Sequence, residues 1–260
     1  MTVLFLHGVA GSRATYAWLG DSIAGHEIVR PDFRGHGAAP RTPGAYLIAG
    51  YAEDALAALR ACGPAYVVGH SLGGVAAWWA AQREPSLVLG ALLEDPPLYS
   101  GSPEGHADNS AIPHFRHLRE LAARWQADGL SEAAAAERLA LEPYGPDPSR
   151  QARDVATPES LEARAYALLH LDPTVLDTVI DGTLLAATDV ESPVEVPMAI
   201  LAAGVAPAFT TEHEARLAAA HPSVRVERIA GAGHSIHDER AHRDAYRAHV
   251  ESFLAARTPT

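Results

Sequence analysis

The stretch Val67-Val68-Gly69-His70-Ser71-Leu72-Gly73-Gly74 contains the pattern G-x-S-x-G between an apolar run and a helix-forming run. The apolar run 65–68 is typical of a buried strand, and the alanine- and tryptophan-rich segment after the pattern is typical of a helix. A strand that turns directly into a helix strains the turning residue, and flanking glycines avoid collisions there. The pattern therefore predicts that Ser71 stands at a sheet edge as a candidate nucleophile. The alternative is a glycine-rich turn that only packs a strand against a helix.

The composition excludes several classes of function. The 260-residue chain has a formal net charge of −12, which argues against nucleic acid or anionic membranes as partners. All 20 basic residues are arginine, so lysine-dependent chemistry such as Schiff-base formation is excluded. The single cysteine, Cys62, cannot form an intrachain disulfide. The chain has neither a charged leader nor an apolar stretch of membrane-spanning length, so we expect a cytoplasmic protein.

Strand and helix patterns alternate along most of the chain. Strand patterns occur at residues 3–6, 27–30, 65–68, 87–93, 198–203 and 224–229. This alternation predicts an α/β fold, in which helices cover both faces of a parallel sheet. Within residues 98–193 only helical patterns are found, near 112–127, 131–141, 158–171 and 173–180. We therefore expect a core of residues 1–97 and 194–260, and an all-helical lid of residues 98–193 over the carboxyl edge of the sheet.

Four segments in order carry a family resemblance. They are His7-Gly8-Val9, the loop Asp32-Phe33-Arg34-Gly35-His36-Gly37, the serine pattern, and Gly231-Ala232-Gly233-His234. Together they resemble the α/β-hydrolase superfamily over the part of the chain outside the lid. The resemblance implies an α/β-hydrolase fold with about six mostly parallel strands. The N-terminal hairpin of the family is expected to be absent, because the chain begins at what the family counts as its third strand.

Serine needs a base within hydrogen-bond reach to act as a nucleophile at neutral pH. His234 is the leading candidate, because it lies in a glycine-flanked loop directly after the last strand. His237 is the competitor, although it falls where the final helix is predicted to begin. His70 flanks the nucleophile, and we expect it to line the pocket.

Acyl transfer also needs donors that stabilise an oxyanion. The backbone N–H of Leu72 is one, because it opens the helix after Ser71. By resemblance the second donor is the N–H of Val9, and His7 and His36 brace backbone turns beside it.

The third member of a catalytic triad is less obvious. Most relatives carry an aspartate after the strand that follows the lid, but here that loop, 204–209, has no carboxylate, and Glu212 begins a helix. Haloalkane dehalogenases and zearalenone-type lactonases instead carry the acid one strand earlier, which corresponds to Glu94-Asp95. Side chains alternate along a strand, so only one of the two can face His234, and the register favours Asp95 over Glu94. Asp95 could also simply begin a turn before proline.

These residues predict a serine hydrolase with the triad Ser71, His234 and Asp95. It would cleave a small, apolar or weakly polar carboxylic ester or lactone through an acyl-enzyme intermediate. The lid residues Trp125, Tyr144 and Tyr166 are candidates for the pocket.

The resemblance implies neither cofactor nor metal. His114 and His117, three residues apart in the lid, have no third ligand nearby in the sequence. Two alternatives stay open: a C–C bond or amide hydrolase that uses the same triad, and a non-catalytic ligand-binding protein on this fold.

Overall fold

A seven-stranded sheet forms the centre of the computed structural model, which describes residues 1–107, 109–144 and 147–257. Its strands are β1 (Thr2–Leu6), β2 (Ser22–Ile23), β3 (His26–Val29), β4 (Ala65–His70), β5 (Val88–Glu94), β8 (Met198–Ala203) and β9 (Arg225–Ile229). They are arranged in the order β2-β3-β1-β4-β5-β8-β9. All neighbours pair in parallel except β2, which is two residues long and antiparallel to β3. The prediction of about six parallel strands is confirmed.

Ten α-helices connect or flank these strands within the described residues. They are α1 (Ile48–Cys62), α2 (Leu72–Arg83), α3 (Pro103–Ala107), α4 (Ile112–Ala127), α5 (Glu132–Leu139), α6 (Ala152–Val155), α7 (Pro158–Leu169), α8 (Val175–Ile180), α9 (Thr211–Ala220) and α10 (Arg243–Ala255). Short 3-10 helices cover Arg13–Leu19, Pro85–Leu87 and Ile236–Asp238. None of the helices in the described ranges is both long and apolar enough to cross a membrane.

Both faces of the sheet are buried, as the continuous apolar strands predict. In β1, Leu4 and Leu6 belong to the core that α1, α2 and the insertion cover. Val3 and Phe5 belong to the core on the other face, with α10 and the first 3-10 helix. This alternation follows from the two-residue period of a strand. Because β4 lies in the middle of the sheet, all six of its residues are buried.

The segment between β5 and β8 is not all-helical, so that expectation is wrong. Beside α3–α8 it contains an antiparallel pair, β6 (Pro143–Tyr144) and β7 (Asp147–Gln151). The pair lies in the connection between the predicted helices 131–141 and 158–171, where Pro143 excludes a continuous helix because proline lacks the N–H that a helix interior requires.

The helical segment after β1 is the 3-10 helix Arg13–Leu19, which ends at Gly20 with φ of 74°. The final helix was expected to begin at His237 but begins at Arg243. His237 instead lies in the short 3-10 helix Ile236–Asp238, and its N–H donates to the Glu94 carboxylate at 3.0 Å.

Candidate active site

Ser71 lies in a strained turn between β4 and α2. Its backbone has φ of 51° and ψ of −116°, a region that non-glycine residues rarely adopt. Its N–H donates to the Glu94 carbonyl at 2.9 Å, which ties the turn to β5. Such strain persists only where the surrounding structure enforces it, and it is concentrated at functional sites.

The two glycines of the pattern are needed for close packing. A Cβ at Gly69 would lie 2.4 Å from the Gly73 carbonyl oxygen, and a Cβ at Gly73 would lie 2.2 Å from the Leu6 carbonyl oxygen. Both distances are far below van der Waals contact. The helix can therefore start directly behind the strand only because neither position has a side chain.

Asp95 and His234 are brought together at the same edge of the sheet. The Asp95 carboxylate is fully buried, and its Oδ2 accepts a hydrogen bond from His234 Nδ1 at 2.7 Å. The backbone N–H groups of Ala203, Ala208 and Phe209 also donate to it. Burial raises the pKa of Asp95, but His234 and these amides outweigh burial and hold the pKa below its ordinary value. The loop 204–209, which has no carboxylate of its own, thus supplies N–H donors to the Asp95 carboxylate.

Glu94, the alternative acid, faces a different histidine. Its carboxylate accepts from His237 Nδ1 at 2.7 Å, and both side chains are buried to within 1% of full burial. Because successive strand residues point to opposite faces, Glu94 and Asp95 diverge. The two candidate acids therefore bind two different histidines: Asp95 binds His234, and Glu94 binds His237.

His234 reaches the surface while Ser71 is almost covered. The His234 side chain is 35% exposed, and Ser71 is 6% exposed. Among the described residues, no hydrogen bond joins Ser71 Oγ to the His234 ring, and such contacts are often long without substrate. His70 stands beside both: its ring lies 4.7 Å from the His234 ring, and its Nε2 donates to the His234 carbonyl at 3.1 Å. Burial lowers the pKa of His70 well below its ordinary value, so the ring is neutral.

The two backbone N–H groups predicted to bind an oxyanion lack a hydrogen-bond partner within the described residues. Neither the Val9 N–H nor the Leu72 N–H donates to a described residue, whereas the adjacent Ala10 N–H donates to His36 Nε2 at 3.3 Å. His7 Nε2 in turn accepts from the Phe33 N–H at 3.1 Å. Burial lowers the pKa of His7 to about 4 and that of His36 to about 3, so both rings stay neutral and can accept. Two buried histidines therefore brace the loop.

Comparison of the sequence with family models identifies the family of this chain. The model for the alpha/beta hydrolase family matches residues 3–248. The chain belongs to the alpha/beta hydrolase family. Its curated relatives include the sn-1-specific diacylglycerol lipase ABHD11 of Mus musculus, 23% identical, with 97% of this chain and 80% of the relative covered.

Solved structures share the fold of this alpha/beta hydrolase. A thermophilic esterase from Thermogutta terrifontis superposes with a TM-score of 0.66 at 20% identity, covering 99% of this chain and 91% of the other. The enol-lactonase from Burkholderia xenovorans LB400 superposes with a TM-score of 0.68 at 20% identity, covering 97% and 90%. At this identity the likeness shows a common fold.

The predicted pocket aromatics take different positions. Tyr144 reaches the site, because its Cε1 lies 3.9 Å from where a Cβ of Gly233 would be, next to His234. Trp125 is buried and lines an outer cleft of about 400 Å³ formed by the insertion. Tyr166 stacks on His170 and lines a second cleft. The described lining of neither cleft includes Ser71.

Sequence reasoning missed the carboxylates that follow His237. Glu239 is buried and accepts from the Gly233 N–H and from His242 Nδ1, both at 2.9 Å. Asp238 is also buried, 3.6 Å from His237 Nε2. The consecutive letters His-Asp-Glu after the glycine-rich loop were an available signal, because acidic residues beside loop histidines commonly orient them.

One buried cluster has the residue types of a metal site. Ligand atoms of His70, Glu94 and His237 all lie within 4.8 Å of one another. Hydrogen bonds among these groups account for the cluster: Glu94 accepts from His237, and His70 Nε2 is engaged with the His234 carbonyl.

Proposed function

We propose that this alpha/beta hydrolase is a serine hydrolase that cleaves carboxylic esters or lactones through an acyl-enzyme intermediate. The observation that carries the proposal is the 2.7 Å hydrogen bond between buried Asp95 and partly exposed His234, at the sheet edge where strained Ser71 stands. A base that a buried acid orients beside a serine nucleophile is the arrangement that acyl transfer requires.

The reaction would proceed in two halves. Ser71 Oγ attacks the carbonyl carbon while His234 Nε2 accepts the hydroxyl proton, and Asp95 keeps the other ring proton on Nδ1. The Val9 and Leu72 N–H groups bind the oxyanion, each contributing about 3–4 kcal/mol to the transition state. The imidazolium then protonates the leaving alkoxide. In the second half, His234 takes a proton from water as the water oxygen attacks the acyl carbonyl, and it returns this proton to Ser71 Oγ as the acid product leaves.

Ester and lactone hydrolysis are both represented among the relatives. The curated relative is named a lipase, and the two superposed structures are named an esterase and an enol-lactonase.

We further propose that residues 98–193 act as a lid. Supporting this, the Arg240 N–H donates to the Val155 carbonyl and the Thr157 N–H donates to the Asp238 carbonyl, so the insertion is attached beside His234.

Active-site labelling tests the proposal directly. The wild-type protein should react with a fluorophosphonate probe and hydrolyse a short p-nitrophenyl ester, and Ser71→Ala should do neither. Ser86→Ala, which changes an exposed serine, is the matched control and should behave as wild type. Absence of both labelling and ester turnover in the wild type would contradict the proposal and favour a ligand-binding protein.

A further inference from the structure

Arg164 is a cation whose hydrogen-bonding capacity is unused. It lies on α7 of the insertion, and its side chain is only 23% exposed. The nearest carboxylate oxygen, Oδ2 of Asp238, is 4.0 Å from its Nη1, too far for a hydrogen bond. Within the described ranges the guanidinium donates to no acceptor. No Arg164 nitrogen is fully buried without a partner, so its five N–H donors stay open to solvent or to a ligand.

The position of Arg164 is beside the proposed base. Its guanidinium carbon lies 5.5 Å from the centre of the Tyr144 ring, and Tyr144 Cε1 lies 3.9 Å from the point where a Cβ of Gly233 would stand, next to His234. One turn earlier on the same helix, Ser160 Oγ donates to the Asp238 carbonyl at 3.4 Å. The helix is therefore attached directly to the loop that carries His234.

Electrostatic effects agree with this placement. Burial, followed by the positive charge of Arg164, lowers the pKa of His114 to about 4, and His117 and His234 add to the effect. His114 is thus a neutral ring in the same neighbourhood as Arg164 and His234. It can donate a hydrogen bond to a ligand without adding charge.

Three other carboxylates near this loop already have hydrogen-bond partners. Asp95 is saturated by His234 and three amides, and Glu94 is paired with His237. Glu239 is held by Gly233 and His242. Only Asp238 remains near Arg164, and it makes no hydrogen bond to it. An incoming anion therefore does not have to displace a bonded partner from the guanidinium.

We propose that Arg164 binds a carboxylate of the substrate, so that the substrate is an ester or lactone bearing a free carboxylate on its acyl side. The planar guanidinium matches a carboxylate through two parallel hydrogen bonds. The inference rests on the proposed hydrolase function and names its substrate class. It departs from the apolar or weakly polar substrate that the sequence suggests.

Matched esters test the inference. The monoesters of p-nitrophenol with succinate, glutarate and adipate are compared with the butyrate, valerate and hexanoate esters, which carry a methyl group in place of the carboxylate. Rates in Ser71→Ala protein correct for spontaneous hydrolysis. The wild type should prefer the acidic ester in at least one pair, and the best chain length measures the distance from Ser71 to Arg164.

Arg164→Gln should lower kcat/KM for the preferred acidic ester roughly 10- to 100-fold, mainly through KM, as expected for a lost charge-assisted hydrogen bond. The neutral ester should change less than about threefold, since it makes no such bond. Arg164→Lys should recover part of the loss. Arg124→Gln, which changes an exposed arginine on the neighbouring α4, should change neither ester.

Two outcomes overturn the inference while leaving the hydrolase intact. One is a wild type that prefers the neutral ester in every pair. The other is an equal loss on both esters in Arg164→Gln, which would mark Arg164 as a structural tie to Asp238. Calorimetric binding of monoethyl glutarate to Ser71→Ala, and its loss in Ser71→Ala/Arg164→Gln, tests the site even if the protein hydrolyses no ester. If the wild type hydrolyses no ester, the proposed function is wrong, and this binding measurement still decides whether Arg164 binds a carboxylate.

Discussion

Two acid–histidine pairs lie side by side in this protein and differ mainly in access to solvent. Asp95 binds His234, and Glu94 binds His237, each with an Oδ2 or Oε2 to Nδ1 distance of 2.7 Å. Both acids are fully buried, but the His234 side chain is 35% exposed and the His237 side chain only 1%. An imidazole can shuttle protons only where its second nitrogen is accessible to a reactant. The same chemical pair therefore suits a base in one place and a structural tie in the other.

The surroundings of the second ring nitrogen, Nε2, show how His237 differs from His234. His237 Nε2 lies 3.6 Å from Asp238 Oδ1 and is enclosed by protein. Burial lowers the pKa of His237, but the negative charges of Glu94 and Asp238 outweigh burial and raise it. The His237 N–H and Nδ1 both donate to the Glu94 carboxylate, and these hydrogen bonds stabilise the buried pair.

The largest expected effect separates the acids by activity. Asp95→Asn should lower kcat about 10⁴-fold, because the amide no longer keeps His234 in the tautomer that accepts the Ser71 proton. Glu94→Gln should reduce kcat far less in the fraction that folds. Initial rates with a p-nitrophenyl ester, normalised to folded protein by circular dichroism, measure both. A greater loss for Glu94→Gln would reverse the roles assigned to the two pairs.

The second effect separates the histidines by stability. His237→Ala should lower the free energy of unfolding by about 3–5 kcal/mol, because it leaves the buried Glu94 carboxylate without a partner. His234→Ala should cost only about 1 kcal/mol, since three backbone N–H groups still solvate Asp95. Urea denaturation of both variants gives the difference. Equal losses would show that exposure does not distinguish the pairs.

The smallest effect is a pH dependence of stability. The folded pKa of His237 is raised, so its contribution is complete below the unfolded value of about 6.5 and is lost as pH rises through the folded pKa. The free energy of unfolding should therefore fall above about pH 6.5 in the wild type, and His237→Gln should lack that decline. Denaturant titrations between about pH 6 and 9 measure it. An identical slope in both proteins would mean that His237 is not charged when folded.

Most of the fold follows from local sequence. The central strands are recognisable because their continuous apolar runs suit a sheet buried on both faces. The serine pattern is recognisable because glycines are needed where β4 turns directly into α2. The alternation of side chains also separates Glu94 from Asp95 without any knowledge of their partners. The expectation of an all-helical insertion is wrong, because the β6–β7 pair forms in the proline-containing stretch near 143–148.

The partners of buried groups required the folded chain. Glu94 and His237 are 143 residues apart, and only the docking of the last loop against β5 brings them together. The role inferred for Arg164 likewise depends on how α7 packs beside that loop, since its own segment looks like any amphipathic helix. Hydrophobic periodicity acts over a few residues and survives in a one-dimensional pattern, whereas ion pairs and substrate contacts form between distant segments whose distances the chain order does not record.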